Sequence, residues 1–189
     1  MTWYTFFKSI HVIAAVVWVG GAAMIQLFAL RIIGTRDGER QAEFAKDVET
    51  IGMRTFVPAS IVLFLAAIGI MVNLHLPWGE NWIVFGLIVW GLSFAVGAGF
   101  LGPESGRIAK VIERDGPNSP EAGARIRRIL MVSRVELVLL LGVIWNMVVK
   151  PVGQNGWFWG ALIVMLIAAG SVLAGYFRTE RNVAVPVMD

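Results

Sequence analysis

The chain has 189 residues, of which 57% are hydrophobic and 15% charged, where soluble domains average about 45 to 50% and about 25%. That composition makes lipid the solvent for most of the apolar surface, and the net charge of +3 does not imply nucleic acid, because Lys and Arg fall between apolar blocks rather than on one polar face. Cysteine is absent, which excludes disulfides, thiolate catalysis and iron–sulfur ligation and leaves His, Met or oxygen as the only metal ligands.

Five stretches reach the length of about 20 mostly apolar residues that a span requires: 3–30, 56–76, 82–101, 129–149 and 157–177. The first begins almost at Met1, without a basic n-region or a small-residue cleavage site, and is too long for a signal-peptide core, so it reads as a mature span. The expected fold is an all-α integral membrane five-helix bundle, a single transmembrane domain over 1–189. No internal repeat is evident.

In the first connection, 38–53 places Phe44, Val48 and Ile51 at helical spacing among charges, the pattern of an amphipathic helix lying in the cytoplasmic interface. Gly116, Pro117, Asn118, Ser119 and Pro120 mark a turn between two basic helical ends in the third connection. Arg31, Arg36, Arg40, Lys46 and Arg54, then Arg107, Lys110, Arg114, Arg125, Arg127 and Arg128, then Arg178 and Arg181 share one side, against Lys8 and Lys150 on the other. The Arg-rich side is therefore expected in the cytoplasm, with the N-terminus outside, the C-terminus inside, and a bacterial cytoplasmic (inner) membrane location. Trp3, Tyr4, Trp78, Trp82, Trp145, Trp157 and Trp159 fall near the outer span ends, as an aromatic belt would.

Ionisable residues inside spans are costly and are functional candidates by default. Here they are Lys8, His11, His75, Arg134 and Glu136, with Asn73 and Asn146 as polar companions. His11 lies roughly 12 Å below Trp3 by helical rise, and Lys8, His11 and Trp18 share one helical face. Arg134 and Glu136, two residues apart, point to opposed faces. Arg134 is expected to snorkel toward water, and Glu136 to pair with Arg54 or Arg31 or to carry protons. Gly20 and Gly21, Ser93 with Gly97, Gly170 with Ala174, and Ser171 with Gly175 allow close helix approach.

The stretch from Lys8 to Gly21, with His11 followed by small apolar residues, then Trp18, Val19 and Gly20, resembles the first span of the copper resistance protein D superfamily. A similar Lys-x-x-His and Trp-x-x-Gly arrangement occurs in HemJ-type protoporphyrinogen oxidases. The match is strong over about thirty residues, from Trp3 to Arg31, and the later-span Lys and Tyr-His patterns of those oxidases are absent. The resemblance implies haem b as cofactor, with His11 as its ligand and Lys8 near a propionate or an acidic substrate. For the second ligand the candidates are His75, the only other His, and Met71. Metal ligation would then rest on His11 and His75, and cofactor binding on those two with Lys8, Met71 and Trp18. Glu136 is the candidate catalytic proton carrier.

Three readings stand beside one another. The first is a haem b protein in membrane redox or porphyrin chemistry, with a quinone or porphyrin as small-molecule partner. The second is a copper-handling protein using His11, Met24, Met71, His75 and Met147. The third is a non-catalytic accessory subunit or scaffold, self-associating or docked in a membrane complex through its small-residue faces. The lipid bilayer is a partner in all three, and nucleic acid in none.

Overall fold

The computed structural model describes residues 2–35, 37–150 and 156–184. Expectations placed on Arg36, on 151–155 and on the side chains of Trp157 and Arg181 lie outside the described residues. Five helices account for nearly all of the described chain: α1 Trp3–Ile32, α2 Gly38–Leu74, α3 Asn81–Asp115, α4 Pro120–Val149 and α5 Gly156–Ala184. Among the described residues, α1 to α4 are long and apolar enough to cross a membrane, and α5 carries a shorter apolar stretch, Leu162–Arg178. Large hydrophobic side chains such as Leu27, Leu65, Ile88 and Leu166 are exposed on the outer faces, where lipid rather than water would receive them.

Helix starts follow from local chemistry. Thr2, Asp37 and Ser119 cap α1, α2 and α4, each side-chain oxygen accepting from the backbone N–H three residues on. Such caps satisfy one orphan donor and contribute about 1 kcal/mol each. Pro120 fills the first turn of α4, where its missing N–H costs nothing. Gly116, at φ 82°, makes the turn between α3 and α4, a conformation open to glycine.

The register of antiparallel neighbours is set by rings and thioethers lying over glycines. Phe7 lies over Gly69 and Phe56 over Gly21 between α1 and α2, Met147 over Gly86 between α3 and α4, and Met165 over Gly142 between α4 and α5. A Cβ at any of these glycines would collide with its partner, so the helices approach more closely than larger residues allow. Asn146, buried, donates to the Trp82 carbonyl at 2.8 Å and ties the end of α4 to the start of α3.

The segment 38–51 is not a separate interfacial helix. It runs into the second span as one continuous helix and packs against 102–115, the matching extension of α3, through Ala42, Ala45, Ile108, Ala109, Val111, Ile112 and Ala122. Gln41, Ala42 and Ala45 form its buried face, and the two alanines permit a close helix–helix contact. Within this basic end Glu104, 3% exposed, accepts from Arg125 at 2.7 Å and from Arg107 at 3.2 Å.

Three helices each contain one wide, π-type turn: Val16–Gly20 in α1, Gly52–Phe56 in α2 and Gly97–Leu101 in α3. In the last two a proline explains the widening. Pro58 and Pro103 follow Gly52 and Gly97 by the same six residues. A proline ring clashes with the carbonyl four residues back and offers no N–H to it, so the chain bonds one residue further. The Val57 N–H donates to Gly52 O, and the Gly102 N–H donates to Gly97 O.

The Arg125→Met variant should lose about 3 kcal/mol of stability in a denaturant titration, because it leaves a buried carboxylate short of its closer partner. Arg107 has a side chain 62% exposed against 32% for Arg125, so Arg107→Met should cost less than about 1 kcal/mol.

Candidate functional site

The three wide turns and α4 surround a cavity of about 160 Å³ in the Arg-rich half of the bundle. Its walls are mainly apolar, with Trp18, Phe44, Phe56 and Phe94 among them, and among the described residues Glu136 is the only ionisable side chain that lines it. An apolar pocket with a few converging polar groups is the usual form of a small-molecule site.

Four serines line this cavity, and three return their hydroxyls to their own helix. Ser60 donates to Val57 O at 2.8 Å, Ser105 to Leu101 O at 2.9 Å and Ser133 to Ile129 O at 2.8 Å. Ser93 does not: its hydroxyl is buried without a partner among the described residues. Gln26 donates its amide to Ser133 Oγ. That orientation is fixed by Ser133, which has spent its own proton on the Ile129 carbonyl and can only accept. Gln26 Oε1 is thereby left buried and unpartnered.

Glu136 completes the polar end. It is 9% exposed, one turn beyond Ser133 on α4, and its Oε1 lies 4.0 Å from where a Cβ on Gly97 would stand. Gly97 is one turn from Ser93 on α3, so the absence of a side chain there opens the carboxylate toward the cavity. The expected ion pair with Arg54 or Arg31 is not formed: both arginines are exposed, and Glu136 has no salt-bridge or hydrogen-bond partner among the described residues. Long side chains at span ends gain more by reaching water than by entering the bundle. Arg134, exposed as expected, behaves in the same way.

The first-span residues fall elsewhere. His11 is half-buried, and its Nδ1 lies 3.0 Å from the Leu63 carbonyl. A carbonyl only accepts, so Nδ1 carries the proton and Nε2 keeps its lone pair. Lys8 is exposed, its Nζ 5.5 Å from the centre of the Tyr4 ring, while Trp18 is buried and lines the cavity. Lys8, His11 and Trp18 thus run from the surface inward rather than forming one working face. Trp18, Val19 and Leu140, with Phe56 and Leu63 packed on them, form the apolar layer between the His11 level and the Glu136 cavity. Gly20 faces open space and Gly21 is covered by the Phe56 ring.

His75 is not brought to His11. It is exposed and caps the second span in a left-handed conformation, φ 51°, twelve residues beyond the Leu63 level, about 18 Å along the axis. Met71 is buried but still eight residues, about 12 Å, away. Metal–imidazole bonds are about 2 Å, so neither residue supplies a second axial ligand to a metal held by His11; His11 alone fits that chemistry. Met24 is exposed and Met147 is engaged with Gly86, which leaves the copper-type ligands dispersed. Among the described residues no three His, Asp or Glu side chains gather as a metal site.

Sequence reasoning singled out Glu136 and Trp18, read Ser93 as a small packing residue only, and missed Gln26 and Ser133. The signal available was polarity inside apolar spans, a Gln and two Ser where lipid-facing or packed positions favour hydrocarbon.

Apolar helices of spanning length around an interior cavity define a polytopic α-helical integral membrane protein. The chain belongs to the family described as predicted integral membrane protein (DUF2269), whose model matches residues 5–151 and so takes in α1 to α4 and the whole cavity lining. No curated protein and no solved structure matches the chain.

Ser93→Ala removes a buried hydroxyl that has no partner and should raise the stability of the ligand-free protein by about 1 kcal/mol. Ser133→Ala takes away the acceptor of the Gln26 amide and should lower it by about 1 to 3 kcal/mol. Denaturation midpoints of the two purified variants, compared with wild type, check both signs.

Proposed function

We propose that this is a five-span protein of the bacterial cytoplasmic membrane, N-terminus outside and Arg-rich loops in the cytoplasm, that binds a small amphipathic molecule inside its bundle. The observation that carries this reading is the polar end of the cavity. Gln26 Oε1 and Ser93 Oγ are buried there without partners beside the unpaired Glu136, in a setting where each unsatisfied group costs several kcal/mol. A ligand with an apolar body and a hydrogen-bonding head answers both the walls and the orphan groups. The quinone and porphyrin expected from the sequence belong to that class of molecule, and Glu136 is the group placed to exchange a proton with it.

A second reading keeps haem b at His11 as a redox centre of the same membrane protein, and one observation favours it. An imidazole that donates Nδ1–H to a backbone carbonyl has the orientation and basicity typical of a metal ligand, and His11 has that bond to Leu63. In this reading His11 would hold the group, which would supply one-electron chemistry when bound.

Mass spectrometry of solvent extracts from the protein purified out of its own membranes tests the first reading. An amphipathic molecule should accompany wild type and be absent from Ala98→Phe, which places a ring in the cavity. Equal recovery from both would overturn it. For the second reading, a reduced-minus-oxidised visible spectrum should show a b-type haem that His11→Ala loses, and a colourless wild type after haem supply would remove it.

Because the chain has no cysteine, single introduced cysteines report orientation directly. In intact cells Gly79→Cys should react with a membrane-impermeant thiol reagent and Asn118→Cys should not; the reverse pattern would invert the topology.

A further inference from the structure

The polar end of the cavity has a chemical bias that narrows its occupant. Gln26 Oε1 can only accept a hydrogen bond, and so can an ionised Glu136 carboxylate; Ser93 Oγ can do either. Among the described residues no Lys, Arg or His lines the cavity, so an ionised Glu136 would be an uncompensated charge in a low-dielectric space, a situation that costs several kcal/mol until a counter-charge arrives. An anionic head would add a second negative charge to the first. A neutral head would supply no counter-charge. An ammonium has donors and no acceptor, which suits a cavity whose unpartnered polar groups can accept, and the rings of Trp18, Phe44, Phe56 and Phe94 in the walls add faces to which cations are attracted.

We propose that the cavity is a site for an amphipathic organic cation, its amine paired with Glu136 and its apolar body lying along the aromatic and aliphatic walls. This rests on the proposed function as a small-molecule site and narrows its occupant to a cationic head, in place of the neutral quinone and the anionic porphyrin. It also assigns Gly97 a role: any side chain there would stand between Glu136 and the ligand.

A matched series separates the two levels of the idea. The probes 4-phenylbutylamine, 4-phenylbutanol and 4-phenylbutyrate share one apolar body and differ in carrying a cationic, neutral or anionic head. Their binding is measured by calorimetry on full-length protein in lipid nanodiscs, against empty nanodiscs of the same lipid. The amine should bind at least about tenfold more tightly than the alcohol or the carboxylate. Glu136→Gln, nearly isosteric, should erase that preference while leaving the alcohol unchanged, and Ala98→Phe should abolish binding of all three. If the alcohol or the carboxylate matches the amine on wild type, and Ala98→Phe still abolishes binding, the cation assignment is overturned and the small-molecule site stands. If none of the three binds above empty nanodiscs, or Ala98→Phe changes nothing, the site itself is overturned and this inference with it. The wild-type series decides between charge classes even if a variant fails to fold.

Discussion

In hydrocarbon every backbone N–H and C=O must find a partner within the protein, and two prolines set inside long helices of this chain break that requirement locally. Pro58 and Pro103 are accommodated by turns that bond five residues back, from Val57 to Gly52 and from Gly102 to Gly97. The same turns supply the glycine surfaces that leave space between α2 and α3. With the wide turn of α1 beside them, they surround the cavity, and π-type turns recur at functional positions in helical proteins for this reason. The backbone rule that makes the spans helical is also what hollows the bundle.

The two halves of the molecule answer different demands. At the Arg-rich end, alanine-faced helix extensions close over one another around Glu104 and its two arginines, a compact arrangement that lies partly beyond the apolar stretch of the spans. Toward the Trp-rich end, the α1–α2 contact is organised by Phe7 on Gly69 and by the His11 bond to Leu63. Between them lies the layer of Trp18, Val19 and Leu140, which separates the imidazole from the carboxylate. His11 and Glu136 are therefore two distinct chemical locations rather than parts of one relay.

Much of the fold was legible in the sequence because a span is a long, simple signal. The apolar blocks, the Gly116–Pro120 turn and the outward Arg134 all follow from hydropathy and side-chain length. The continuity of 38–51 with the second span was not legible, since Gly52, Thr55 and Pro58 look like the end of a helix and their accommodation depends on Gly97 and its neighbours across the interface. The site was legible only in part. Glu136 announces itself as a charge in hydrocarbon, whereas Gln26 and Ser93 matter only because Ser133 turns its proton to Ile129 and Ser93 finds no carbonyl. His75 was a candidate second ligand as the only other His, and the antiparallel register of α1 and α2, fixed by the His11 bond to Leu63, sets it about 18 Å along the axis from His11.

The wide turns also alter how this chain tolerates length changes. Each residue of an α-helix turns the chain by about 100°, so one residue added to or removed from the regular winding rotates everything beyond it by that angle. Deleting a single residue between Gly52 and Pro58 would not shorten the second span enough to matter for crossing the bilayer. Because five residues of the wide turn cover about the rotation of four in an α-helix, that deletion would regularise the winding and leave Ser60 and Leu63 facing their present neighbours, whereas the same deletion in a regular stretch of α2 would swing them away by about 100°. A frame of this kind accepts substitutions in its lipid-facing residues freely and single-residue length changes at its wide turns more readily than in the regular helix between them.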